Sequence, residues 1–299
     1  MTISRAAVAL VLCGTAASAQ RLEPLISRPL VLPRGAVDLT LHGTYTNWSS
    51  SAPGAIALDG ETLALGVDFG IGDRAQLGLA TALPINPGAG FGSVLGSAAF
   101  ATKSSVAVRL DAGFERIGLN GNNTSFISHT NRYFGGLGVP IKAPITPTMA
   151  FVSGRTGAVQ FGHFNNTGSA GTGFYVGSSA LAETSSDVFV ISGGDNDSST
   201  NIGINLPAGL LLQPDPHLAV TLLTGYSITI IAPNTSGAQT SAFHFLPVGL
   251  EAVVTPVPRL DLGARFFLDG YIAQTGGNLR LNAGYFDLRE LMFWTRVHL

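Results

Sequence analysis

From about residue 36 to the C-terminus, apolar side chains recur at every second position. Leu63, Leu65, Val67, Phe69 and Ile71 alternate with Thr62, Ala64, Gly66, Asp68 and Gly70. Val37, Leu39, Leu41 and Tyr45 alternate in the same way with Asp38, Thr40, His42, Thr44 and Thr46. Successive side chains of a strand face opposite sides, so each such segment has one apolar and one polar face. The mean hydropathy is +0.34 and only 11% of residues are charged, against about 25% in an ordinary soluble domain. No stretch approaches the roughly 18 consecutive apolar residues of a membrane-spanning helix. A chain this apolar, without helices for lipid, is left with a closed β-barrel, in which every backbone polar group pairs with a neighbouring strand.

Twelve strands are expected, over residues 36–48, 62–71, 75–84, 92–102, 105–117, 132–141, 148–155, 201–213, 217–230, 242–254, 260–272 and 286–299. The connections after even strands are short: Gly72–Arg74, Lys103–Ser104, Lys142–Pro147, Pro214–Pro216 and Thr255–Arg259. Those after odd strands run longer and are rich in Gly, Asn, Ser and Thr. Sorting by parity is the layout of a transmembrane antiparallel up-and-down barrel, with turns at one mouth and loops at the other. The segment 156–200 is too long for an ordinary loop and carries Phe161, Phe164, Phe174, Tyr175 and Val188–Ile191. It either folds inward as a constriction or lid, the favoured reading, or adds a hairpin and makes fourteen strands.

The N-terminus reads as a secretory signal. Arg5 supplies the charge, Ala6–Ala16 the apolar region and Ala17-Ser18-Ala19 a cleavage site. The only cysteine, Cys13, falls within it, so the mature chain has no disulfide or thiolate chemistry. Residues 20–34 hold Pro24, Pro29 and Pro33. Prolines at that density prevent a helix, and the segment reads as an extended leader outside the barrel wall. Residues 35–299 form the barrel. The formal charge is −2, with no basic run or stripe, which excludes a nucleic-acid partner on electrostatic grounds.

The repeat Leu63–Ile71, the turn Gly72-Asp73-Arg74, the returning strand Ala75–Pro84 and the alternating C-terminal strand carry a resemblance. Over residues 35–299 the chain resembles the Gram-negative outer-membrane β-barrel proteins, in particular the twelve-stranded porin-like and putative transporter families. The resemblance implies outer-membrane lipid as surroundings. It also implies recognition by the barrel-assembly machinery through Leu291, Phe293, Thr295, Val297 and Leu299 of the final strand. Leu299 departs from the aromatic terminus of that class. The function implied is a passive channel or transporter for small solutes; the alternative is a non-conducting structural or binding barrel whose loops contact ligands or partners.

The candidate lumen lining comprises Asp38, His42, Asp68, Gln76, Arg109, Asp111, Glu115, Arg132, Glu251, Arg265, Asp269 and Arg296. Its charges read first as internal salt bridges and second as a selective constriction; the acidic excess would give a pore a weak cation preference. Leu211, Phe245, Phe267 and Trp294 are apolar yet inward, either for packing or as a path for hydrophobic compounds. Tyr45, Trp48, Phe114, Tyr133, Tyr226 and Phe266 are candidates for interfacial aromatic girdles, although core aromatics would look alike. Asp195, Asp197, Ser199 and Asn201 only faintly echo a calcium loop, because Thr200 and Leu206 replace its Gly and Glu. No two histidines share metal-ligand spacing. No metal or cofactor is expected. The twelve-stranded outer-membrane phospholipases activate a serine with a histidine two residues earlier; no His-x-Ser occurs here, and no enzymatic activity is expected.

Overall fold

The computed structural model describes residues 23–49, 58–86, 93–119, 128–154, 165–167, 174–176, 187–194, 199–233, 241–275, 278–281 and 287–299. Its strands are β1 (Val37–Ser49), β2 (Leu58–Gly72), β3 (Ala75–Asn86), β4 (Ser93–Lys103), β5 (Val106–Leu119), β6 (Ser128–Gly138), β7 (Ile141–Thr146), β8 (Met149–Ser153), β9 (Asn165–Thr167), β10 (Phe174–Val176), β11 (Asp187–Gly194), β12 (Ser199–Asp215), β13 (Leu218–Pro233), β14 (Ser241–Val257), β15 (Leu260–Thr275), β16 (Asn278–Leu281) and β17 (Asp287–His298). The described residues contain no helix.

The wall is a closed antiparallel barrel of twelve strands. Pairing runs β11-β6-β5-β4-β3-β2-β1-β17-β15-β14-β13-β12, and the β11–β12 ladder shuts the ring. The two chain ends meet at the β1–β17 seam, where Asp38 lies opposite His298 and Ser49 opposite Asp287. Closure removes the sheet edges, which no strand could leave unpaired in an apolar surrounding.

One position in the ring is filled by two separate segments. β8 pairs with β7 and with Gly209–Leu212 of β12. β11 pairs with β6 and with residues 201–204 of the same β12. The chain leaves the wall after Ser153, at Gly154 with a positive φ of 62°, and rejoins it at Asp187. Of the segment 156–200, residues 187–194 and 199–200 are therefore wall strand, and β9 and β10 pair with each other. The inward lid envisaged for that segment falls mainly on residues outside the described ones. The barrel keeps twelve wall positions rather than fourteen.

Strands and turns mostly follow the alternation. The stretch Lys142–Pro147, expected as a connection, is instead strand β7 up to Thr146, with the turn at 147–148. Pro144 is accommodated there beside the rim, opposite Ala150, where a missing N–H does least harm.

The outer face is a continuous apolar belt. Leu65, Leu79, Leu110, Leu222, Leu250 and Phe293 are exposed by 46–59%. Their sequence neighbours Ala64, Ala80, Thr221, Glu251, Met292 and Trp294 are buried inside. This inverts a water-soluble fold, in which the exposed face of a sheet is polar.

Candidate functional site in the barrel lumen

The polar residues of the wall point inward and pair with one another. Arg109 and Asp111 lie two residues apart on β5 and so share a face. Arg109 donates from Nε to Asp111 Oδ2 at 2.5 Å and from Nη2 to Oδ1 at 2.7 Å. On adjacent strands, Arg265 and Glu251 are register partners. Both Nε and Nη2 of Arg265 donate to Glu251 Oε2, at 3.1 and 2.7 Å. All four side chains are buried. A planar guanidinium presents two parallel donors to one carboxylate, which satisfies most of what burial would otherwise strand.

A larger cluster forms where β1, β14, β15 and β17 meet at the turn end. His298 Nδ1 lies 2.7 Å from Asp38 Oδ1, and its Nε2 lies 2.8 Å from Asp261 Oδ2. Arg28 Nη1 lies 3.3 Å from the same Nε2, so a carboxylate and a guanidinium converge on that nitrogen. Thr255 donates to Asp261 Oδ1 at 2.6 Å. Arg296 stacks 5.2 Å from the Trp294 ring centroid and donates from Nε to Thr40 Oγ1 at 3.3 Å.

The leader enters this interior. Residues 23–36 make one turn, with Ser27 N and Arg28 N bonded to Pro24 O, and then run across the turn end of the lumen. Ile26 is buried among Ala150, Leu211, Ala219, Val253, Met292 and Trp294, which come from five strands. Val31 is buried against Ala99 and Ala107 on the other side. Ile26 N donates to Gln213 Oε1 and Leu32 N to Gln76 Oε1, each at 2.8 Å. Lys142 Nζ donates to the carbonyls of Leu25 and Arg28. Arg28 reaches Asp261 with both terminal nitrogens, at 2.5 and 3.1 Å, and Thr255 Oγ1 at 3.3 Å.

The leader rejoins the wall through backbone bonds from Gly35 N to Gly70 O and from Gly70 N to Ala36 O. Gly35 sits at a φ of 80°, and a Cβ on Gly70 would stand 2.0 Å from Pro33 O. Glycine is needed at the first for its left-handed conformation and at the second for close approach.

Of the residues singled out in the sequence, Asp38, His42, Asp68, Gln76, Arg109, Asp111, Glu251 and Arg265 are buried on the inner side. Arg296 is half-buried there. The side chains of Glu115, Arg132 and Asp269, like those of Trp48 and Phe245, lie outside the described residues. Leu211, Phe267 and Trp294 are inward and buried. Leu211 and Trp294 pack around the leader, which supplies the reason for apolar groups in a polar lumen. Phe267 and Trp294 lie flat on the wall over their cross-strand partners Gly249 and Gly263. Tyr45, Tyr133, Tyr226 and Phe266 face outward at 37–52% exposure, while Phe114 is half-buried opposite Tyr133.

Sequence reasoning passed over Arg28, Lys142, Gln213, Thr255, Asp261 and His298 as a set. The available signal was the leader itself. Leu25, Ile26, Leu30, Val31 and Leu32 are too apolar for a solvated tether.

No protein-family model matches the chain. No curated sequence matches it either. Solved structures do. An outer-membrane channel from Pseudomonas putida F1 is similar over 90% of this chain and 97% of that one, at 10% identity and a TM-score of 0.52. The translocator domain of the autotransporter NalP from Neisseria meningitidis is similar over 89% of each chain, at 10% identity and a TM-score of 0.43. The NanC porin is similar over 87% of this chain and 98% of that one, at 7% identity and a TM-score of 0.43. The chain has the fold of the twelve-stranded outer-membrane barrels.

Proposed function

We propose that the protein resides in the outer membrane of a Gram-negative bacterium and passes small solutes across it passively. The observation that carries the reading is the inversion of the wall, with a closed apolar belt outside and a paired polar lining within. Such a wall is matched to lipid on one side and to a hydrated path on the other. The signal at residues 1–19 would deliver the chain to the periplasm, and the alternating β17 would present it to the assembly machinery. The short turns and the leader would then face the periplasm. Because Arg109 and Arg265 are neutralised by their carboxylate partners, the pore discriminates weakly by charge. Transport, rather than catalysis, is the activity.

The second reading is a non-conducting structural or binding barrel. The leader across the turn end favours it. Planar-bilayer recording of the purified protein separates the two. Stepwise ion currents support the channel. A correctly folded protein that stays silent with the leader both present and removed defeats it.

A further inference from the structure

We propose that residues 23–36 are a displaceable plug that closes the turn end of the channel, latched by Arg28 in the Asp261–Thr255–His298 pocket. The proposal rests on the channel reading and adds its regulation.

The leader is attached in a way that permits release. Its backbone bonds to the wall backbone beside the Gly35 bend, through Gly70. Further along, its peptide groups are held by wall side chains: Gln213 and Gln76 accept from Ile26 N and Leu32 N, and Lys142 donates to two carbonyls. None of the ladders between the described strands includes residues 23–36, so withdrawing them breaks none of these. Of the leader's two apolar anchors, Val31 rests on small side chains and Ile26 on small and large ones together. Ala99 and Ala107 receive Val31, and Ala150 and Ala219 are among the residues around Ile26. These positions leave room in the lumen for an insert and would leave a passage without it.

Of the wall groups that hold the leader, Asp261, Gln76 and Gln213 also have partners of their own. Asp261 retains Thr255 and His298. Gln76 retains Asp68, to which it donates at 3.2 Å, and Gln213 retains the carbonyl of Pro216. An emptied seat thus remains largely a set of hydrogen-bonded polar groups that water can enter, with water replacing the two leader carbonyls at Lys142 Nζ. Among the described leader residues, Arg28 is the one guanidinium placed in this seat, and its side chain is 16% exposed. It is the attachment whose loss weakens the closed state most, since its bonds to Asp261 carry charge on both partners, whereas Lys142 donates to neutral carbonyls.

The test is single-channel recording on four proteins, each first shown to be folded by its heat-modifiable migration on a gel. The intact protein should be mostly closed, with brief openings. Arg28→Ala should raise the open probability by about tenfold or more without changing the size of the open current. Deletion of residues 20–34 should give the same current held open. Val31→Cys with Ala99→Cys, in a mature chain otherwise free of cysteine, should be closed when oxidised and recover its openings on reduction. Equal open probability in the intact and deleted proteins overturns the plug and leaves the channel standing. An unchanged Arg28→Ala beside an open deletion overturns the latch. Silence in every folded variant defeats the channel reading, and the plug with it. Where the deletion fails to fold, Arg28→Ala and the cysteine pair decide.

Discussion

Arg28 and Asp261 are 233 residues apart in sequence, yet the guanidinium of one meets both carboxylate oxygens of the other. The contact ties the leader to the start of β15 across the inside of the wall. Asp261 is fully buried and also accepts from Thr255 and His298. It is the acceptor that organises this end of the lumen.

Asp261→Asn should accordingly destabilise the protein. It removes the one full negative charge that Arg28 touches among the described residues and exchanges an acceptor for an amide donor facing other donors. Losing one partner of a buried pair costs about 3–5 kcal/mol. Arg28 is partly exposed and can recover some hydration, so about 2–3 kcal/mol is expected. Urea unfolding of the detergent-folded protein, read as a shift in midpoint at constant slope, measures it. An unchanged midpoint would count against the cluster.

The Arg109–Asp111 pair predicts an asymmetry. Arg109→Ala leaves Asp111 buried with a charge and without its bidentate donor, and should cost about 3–5 kcal/mol. The double replacement Arg109→Met with Asp111→Val removes both charges and stays nearer the original volume, and should cost far less. The same urea assay compares them. If the double variant is as damaged as the single one, the pair contributes packing rather than charge compensation.

Much of the barrel was legible because its wall obeys one rule. Asp38, Thr40, His42 and Thr44 had to share a face whatever their tertiary surroundings, and Leu39, Leu41 and Tyr45 had to oppose them. A one-residue slip would have sent every one of them to the wrong side. The split wall position was not legible, because β8 and β11 belong together only through β12, which pairs with both, and through the successive strands β6 and β7 on their other side. The leader was not legible for a different reason. Its prolines declare only that it is neither helix nor central strand. Its destination depends on Gln76, Gln213 and Asp261, each of which reads, taken singly, as one more inward polar residue. Apolar inward residues such as Leu211 and Trp294 were recognised as anomalies, but their partner Ile26 lay outside the alternating region.

Trp294 and Gly263 supply a local test of the interior. They are register partners, and a Cβ added at Gly263 would come within 2.0 Å of Trp294 Cε2. Gly263→Ala must push the indole off the wall, toward Ile26 and the leader. Overpacking of this kind costs about 1–3 kcal/mol. Trp294 is one of only two tryptophans, so near-ultraviolet circular dichroism and tryptophan fluorescence should both change. Unaltered spectra would place the ring elsewhere.

The outer belt makes the sharpest distinction between lipid and water. Leu222 is 49% exposed, with the leucines Leu210 and Leu250 as its cross-strand neighbours. In a protein surrounded by water, Leu222→Arg would be a surface change worth within about 0.5 kcal/mol in either direction. In a bilayer the same arginine faces hydrocarbon, and near the midplane it costs about 2–4 kcal/mol. Leu222→Phe keeps the position apolar and should be close to neutral in lipid, though it would add exposed hydrophobic surface in water. Folding both variants into vesicles and titrating with urea reads the sign directly. A large loss for arginine beside little change for phenylalanine is the expected result. Equal stability of the two would mean that the Leu222 face does not lie against lipid, and the apolar belt would then need another partner.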